Sequence, residues 1–296
     1  FLKRNHLSSY DNGRYLLTAH GQFLELYDLN EYFKDDFNAH NYKPIRTRVF
    51  EMHNVYQFTV FEDTGDVLAV TTSYDMNKRE LFVRACLIPR GLILSGGYAD
   101  PSSVHELFRG RSLTTIFSMA TIPGTSEVLV LTDSALAHFR FHTEDGVSAT
   151  MERVSKFDLQ TILPAAHKRL IAPLCVDSSS SYSILVSANR VFVLLKKEGN
   201  QWSWRAMRDT DATELAMFIP GTDIAVAAGK MSTMFLSTSS IQPRVNKNQL
   251  RFIHKQENAA TKALIYCTLN GNTYAFLFGR KDLTVWKVDK QAITLE

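Results

Sequence analysis

Apolar residues in this chain come in short blocks bounded by turn formers, not at a helical period. Residues 221–229 (GTDIAVAAG) set the theme: a turn, then the run Ile224-Ala225-Val226-Ala227-Ala228. The run is too short for an ordinary helix and has no polar alternate positions, which predicts a β-strand covered on both faces. Ahead of it, 217–220 is a second apolar stretch that Gly221 reverses. An apolar strand, a Gly-containing turn and an apolar return strand make a hairpin.

The same signature occurs at 10–17, 61–70, 120–130, 176–186 and 268–276. Ile122-Pro123-Gly124-Thr125 repeats Ile219-Pro220-Gly221-Thr222 residue for residue. A third strand is predicted after each copy, at 23–29, 80–88, 136–141, 190–196, 233–237 and 282–288. These segments tend to alternate, which suits a more exposed sheet position. A fourth, less patterned strand follows in places, as at 201–207 and 249–254. Anchored at Tyr15, Val67, Val128, Ile184, Ile224 and Tyr274, the copies are 52, 61, 56, 40 and 50 residues apart. About four strands in a period near 40–50 residues is the mark of a propeller blade, because one such sheet cannot cover both its faces alone.

The fold class is therefore all-β: a β-propeller of six recognisable four-stranded blades, with seven as the alternative. One domain, 1–296, is expected to hold blades near 1–56, 57–114, 115–170, 171–214, 215–261 and 262–296, with the anchors in equivalent places around an axis. Residues 1–5 or 292–295 are expected to complete the ring. A short helix is expected within 157–170, broken at Pro164, and a turn or bulge at Gly96-Gly97.

Two copies carry a sharper likeness. Phe23-Leu24-Glu25-Leu26-Tyr27-Asp28-Leu29 and Leu283-Thr284-Val285-Trp286-Lys287-Val288-Asp289 resemble the third strand of a WD40 blade, which typically ends in an aromatic residue and an acid. Tyr27-Asp28 gives that dipeptide directly. The resemblance implies a WD40-like propeller.

At 45% hydrophobic and 21% charged, the chain has the make-up of a folded globular protein, not a disordered one. Its net charge of +3 is small and gives no argument for a dedicated nucleic-acid binder. Cys86, Cys175 and Cys267 are too few, and odd in number, for a disulfide framework. With no Asn-X-Ser/Thr site, they point to an intracellular protein. No apolar run approaches the roughly 18 residues that would span a bilayer. The chain opens on Phe1 and reads as a mature form or an excerpt.

Three segments stand out as contact surfaces. The insertion 29–44 carries Tyr32, Phe33, Phe37 and Tyr42, and aromatic residues dominate interface hot spots. They either pack the insertion onto the ring or dock a partner. Arg244, Lys247, Arg251 and Lys255 fall in a run without an acid, read as a Lys-guarded edge strand or as a contact with RNA or an acidic partner. Trp202 and Trp204, two apart, share one strand face.

Catalytic signatures are lacking. His105-Glu106 meets Arg109 where a zinc helix needs a second His. His138 and His142, set in a strand and turn, need not share a face. No Gly-X-Ser-X-Gly elbow occurs. No cofactor or metal site is expected. The sequence reads as a non-enzymatic scaffold, a protein–protein interaction subunit of a larger complex, with an RNA-associated subunit as the alternative.

Overall fold

The computed structural model describes residues 7–32, 34, 38, 42–49, 53–78, 80–98, 104–111, 116–132, 135–144, 148–158, 175–176, 182–186, 191–198, 201–208, 213–219, 221–229, 231–237, 252–257, 261, 263–279, 282–289 and 292–295. Among them, six sheets follow one another along the chain, antiparallel except for one short parallel strand added to the first. The first contains β1 (Leu7–Tyr10), β2 (Tyr15–His20), β3 (Phe23–Asp28) and, after helix α1 (Leu29–Tyr32), β4 (Ile45–Arg48). The second contains β5 (Asn54–Val60), β6 (Val67–Asp75) and β7 (Glu80–Ile88). Helix α2 (Arg90–Ser95) and β8 (Gly97–Tyr98) precede its last strand, β9 (His105–Arg111). The third is β10 (Ile116–Ile122), β11 (Glu127–Thr132), β12 (Ala135–Glu144) and β13 (Ser148–Asp158). The fourth is β14 (Cys175–Val176), β15 (Tyr182–Val186), β16 (Val191–Glu198) and β17 (Gln201–Arg208). The fifth is β18 (Thr213–Ile219), β19 (Ile224–Gly229), β20 (Ser232–Ser237) and β21 (Phe252–Glu257). The sixth is β22 (Ala263–Leu269), β23 (Asn272–Phe278), β24 (Leu283–Val288) and β25 (Ile293–Leu295).

The turn between the first two strands is the shared device. Gly13, Gly65, Gly124, Gly221 and Gly271 all take φ between 69° and 83° there. A Cβ would oppose that left-handed backbone, which is why the repeats align on glycine. The two Ile-Pro-Gly-Thr copies close alike. Thr125 and Thr222 each donate N–H and Oγ1–H back to the carbonyl three residues earlier, at 3.2 Å and 2.8 Å.

Every anchor lies on the second strand of its sheet. The anchors do not all face the same way. Tyr15 and Val67 belong to one apolar cluster shared by the first and second sheets, so Tyr15 looks forward along the chain and Val67 looks back. Both stand two residues after their turn glycines, Gly13 and Gly65, so distance from the turn does not set the facing.

The chain divides into two compact units, one of Phe1–Val130 with Ala137–Val154, the other of Leu131–Leu136 with Ser155–Glu296. In the first unit, the leading strand β5 lies across β1, β2 and β3, and β10 lies against β5. Leu17, Leu24, Leu26, Phe58 and Ile88 fill the space between the first two sheets. Leu68, Val70, Leu87, Met119, Val128 and Phe141 form the next cluster along. In the second unit, β18 lies against β14 and β15, and β22 against β18.

That stacking overrides one sequence expectation. All six residues of β20, a third strand, are buried, as are all six of β19. The fifth sheet lies between two others, so no strand of its middle keeps a wet face. Alternation survives on β24, where Trp286 and Val288 are buried and Leu283 is exposed.

The link after β7 is more than a turn. Helix α2 buries Ile93 in the first cluster, and Thr47 Oγ1 donates to the Leu92 carbonyl at 3.3 Å. The strand β8 then pairs parallel to β4, Thr47 with Gly97 and Arg48 with Tyr98. The Gly-Gly signal marked this re-entry, while the helix itself lacked the length for a periodic pattern. Of the helix expected in 157–170, Phe157 and Asp158 end β13, and the rest lies outside the described residues.

Candidate interaction surfaces

The insertion after β3 is pinned to the first sheet at both ends. Asp28 Oδ1 accepts the N–H of Asn30 at 2.9 Å, capping α1. The Asp28 N–H donates to the Tyr42 hydroxyl at 2.6 Å, and the Tyr42 ring stacks on Tyr27 at 6.0 Å. Burial raises the phenol pKa of Tyr42 above its ordinary value. Tyr42 thus holds the end of the insertion down and is half-buried. Tyr32 closes α1, though its side chain, like Phe33 and Phe37, lies outside what is described. So do Arg244, Lys247 and Arg251; Lys255 is half-buried on β21, across from Met234. Trp202 and Trp204 pair in register with Lys197 and Leu195, two apart on β17 and so on one face.

The first sheet's other face is polar. Glu25 is buried there beneath Arg46, whose Nε donates to Oε1 at 2.9 Å, and Tyr27, whose hydroxyl donates to Oε2 at 3.0 Å. A second network links the first two turns of the first unit. Tyr10 donates its hydroxyl to the Gly65 carbonyl at 2.6 Å, and Arg90 pairs with Asp11 at 2.6 Å while its N–H donates to Asp66 at 3.0 Å. Burial is the main reason the Tyr10 phenol is pushed up to about 12.

A third network lies on the third sheet. Glu127 sits between His138 Nε2 at 2.7 Å and the Arg140 Nη2 at 2.6 Å. Burial alone would raise its pKa; hydrogen bonds from Arg140 and His138 outweigh it and hold the carboxyl below its ordinary value. His138 and His142 both belong to strand β12, so they do share a face, which the sequence left open. Four residues of strand set them about 13 Å apart, and His142 pairs with a different acid, Glu152, at 3.2 Å. His105 lies on a strand, β9, not a helix. Among the described residues, no three His, Cys, Asp or Glu side chains converge in a cluster that could hold a metal. Cys86 is a free, fully buried thiol whose pKa burial raises.

Large apolar side chains stand exposed on strands and hairpin tips. Tyr74 and Met76, at the β6–β7 tip, are 55% and 78% exposed. Ile265, Leu269 and Leu283 of the sixth sheet are 52%, 60% and 52% exposed. Sequence patterning missed these, because an apolar residue on a strand reads the same whether or not another sheet covers it. No helix among the described residues is long and apolar enough to cross a membrane.

No protein-family profile matches the chain, and no curated protein matches it in sequence. Solved structures do match. The β-propeller domain of Cps50 (Swd1) from Myceliophteria thermophila superposes with a TM-score of 0.58 at 8% identity, over 99% of this chain and 86% of that one. The WD40 domain of SCAP from fission yeast gives 0.54 at 12% identity, over 97% of this chain and 62% of that one. The chain therefore spans less than two thirds of the SCAP domain's chain. Four-stranded meanders in series, glycine-turn repeats and these two likenesses agree: the chain has the fold of a WD40-like β-propeller.

Proposed function

We propose that this protein is a non-enzymatic interaction scaffold, a subunit of a larger multiprotein assembly in which it forms one propeller domain over residues 1–296. One observation carries the reading. Large apolar side chains are exposed on strands, Tyr74 on the second sheet and Ile265 and Leu283 on one face of the sixth, each more than half exposed. Water-facing apolar residues gathered on a sheet face mark a contact surface. A rigid sheet also loses little conformational freedom on binding, so the apolar contact is not cancelled by ordering. The test is native purification of the tagged protein from its own cells, with the stoichiometry of co-eluting chains measured. Stable partners at fixed ratio are expected; elution alone, at its own mass, would sink the reading.

The RNA-associated alternative rests on the acid-free run holding Arg244, Lys247, Arg251 and Lys255. It predicts RNA affinity that falls steeply with salt and disappears on reversing those four charges. Binding insensitive to salt would reject it. Tyr32, Phe33, Phe37 and Tyr42 remain candidate contacts on the insertion.

A further inference from the structure

The chain holds two Asn-Gly pairs, Asn12-Gly13 and Asn270-Gly271, each at the turn between the first two strands of a sheet. Both asparagines and both glycines are exposed. Asn12 and Asn270 have φ of 54° and 50°, Gly13 and Gly271 of 83° and 75°, the positive values of a type I′ turn. Such a pair has a chemistry of its own. Glycine has no Cβ to shield its main-chain nitrogen, so that nitrogen can reach the side-chain carbonyl carbon of the asparagine before it.

The reaction runs in two steps. The Gly271 nitrogen forms a bond to Asn270 Cγ, the Cγ–Nδ2 bond breaks, and the amide leaves as ammonia with the proton that the nitrogen gives up. Water then opens the five-membered imide at one of its two carbonyls. Opening at Cγ leaves an aspartate in the ordinary main chain. Opening at the main-chain carbonyl leaves an isoaspartate, with the chain routed through the former side chain. Nothing is oxidised or reduced, and water is the only other reactant.

The closed turn blocks ring closure. Nitrogen and Cγ come together by rotation about the asparagine Cα–C bond, which the paired strands hold. The turn has to open first, so the rate follows the population of the open turn. Here the two turns differ. Next to Asn12, Tyr10 is 2% exposed and donates its hydroxyl to the Gly65 carbonyl at 2.6 Å. Asp11 pairs with Arg90 at 2.6 Å, and the Arg90 N–H donates to Asp66 at 3.0 Å. Both ties run to the second sheet. The Asn270 turn is built of exposed residues, Thr268, Leu269, Asn270 and Gly271 in succession. Its side-chain bonds are local and long, Thr268 to Thr273 at 3.4 Å and Asn272 Nδ2 to the Asn270 carbonyl at 3.5 Å.

We propose that Asn270 is a site of spontaneous deamidation, and that Asn12, in the same dipeptide, is protected by the ties on its turn. The product puts a negative charge into 263–279, a stretch with no charged residue. Isoaspartate also lengthens the main chain where Leu269 pairs with Asn272 across a two-residue turn, so the β22–β23 pairing loosens from its tip.

The test is peptide mapping by mass spectrometry of the full chain held in mildly alkaline buffer, with fragment spectra locating each converted residue. A hydrogen bond that must break before opening lowers the open population by up to about tenfold. Asn270 is therefore expected to convert about tenfold faster than Asn12 in the folded protein, and the two at similar rates in urea, where neither turn exists. Tyr10→Phe or, at the surface, Arg90→Ala removes one tie and should speed Asn12 severalfold without changing Asn270. Equal rates in the folded chain, an Asn270 that converts only in urea, or an Asn12 rate untouched by both variants would overturn the inference.

Discussion

Trp286 tests the stacking of sheets on which the fold depends. Its ring is 7% exposed. It sits 5.2 Å from the Phe235 ring and 4.9 Å from the His254 ring, both on the neighbouring fifth sheet. Ile219, Ile224 and Val226 complete that side of the cluster. Truncation to alanine removes the transfer free energy of a large aromatic side chain. It also leaves a hole between two sheets that backbone hydrogen bonds prevent from collapsing. Together these cost about 3–5 kcal/mol. Trp286→Phe separates packing from polarity. The indole Nε1–H is buried with no hydrogen-bond partner among the described residues, and a buried donor left unpaired costs about 1–3 kcal/mol. Phenylalanine gives up part of the contact but also that penalty, so its net loss should be about 1 kcal/mol or less. Urea unfolding followed by circular dichroism gives both values. An alanine loss under ~0.5 kcal/mol, the size of a bland surface change, would show that Trp286 does not lie between sheets. A phenylalanine loss equal to the alanine loss would show that the indole nitrogen is satisfied after all.

Three further outcomes are expected. Gly96 has φ 69°, and an added Cβ would lie 2.8 Å from Ile45 Cγ2 and 3.0 Å from the Arg46 carbonyl oxygen. Gly124 has the same φ and open space around it. Both alanine variants bear a positive-φ backbone cost on the order of 1–3 kcal/mol, and Gly96→Ala adds the clash and an extended ψ of −173° that only glycine adopts readily, so equal melting temperatures would refute the strap seen after β7. Glu127 titrates below its ordinary value when folded, so it contributes stability above the ordinary carboxyl range that is lost as pH falls through the folded pKa. The gap in urea midpoint between wild type and Glu127→Gln should be widest near neutrality and close in acid; a pH-independent gap would count against the Arg140–Glu127–His138 network. Tyr10, raised from 10.0 to about 12, contributes stability present below pH 10 and lost as pH climbs towards 12. Tyr10→Phe should lose about 0.5–1.5 kcal/mol at neutral pH and show a flatter alkaline unfolding profile, which a wild-type-like profile would contradict.

The repeat was legible in the sequence because the turn is chemically strict. Five turns need a residue tolerant of φ near +70°, and glycine fills each. The strand after the turn in the fifth sheet, β19, is all apolar because sheets cover both its faces. Element ends followed closely: 80–88 was expected as a strand and β7 is Glu80–Ile88. Facing was not legible. Tyr15 and Val67 each follow their glycine by two residues yet look in opposite directions, because facing is set by which neighbouring sheet the strand meets, not by the local turn. Helix α2 was invisible for a related reason. At six residues it is too short to show a period, and it is held by Ile93 in the core and the Leu92 carbonyl, contacts with a different sheet.

Surfaces were harder to read than the core, for a reason that bears on function. In a stack of sheets, the residue pattern that covers an inner face and the pattern that meets a partner are the same. Leu283 and Trp286 lie three apart on β24, on opposite faces; one is exposed and the other buried against the fifth sheet. Nothing in LTVWKV distinguishes them. Only the neighbour does, and the neighbour is a property of the assembled sheets. The aromatic residues of the insertion were open to either reading, packing onto the ring or docking a partner, and Tyr42 is held on Asp28 and Tyr27. For a fold built of repeats, the informative comparison is therefore between sheets of one molecule: β19 and β20 are wholly buried between neighbouring sheets, while β24, a third strand like β20, keeps Leu283 exposed.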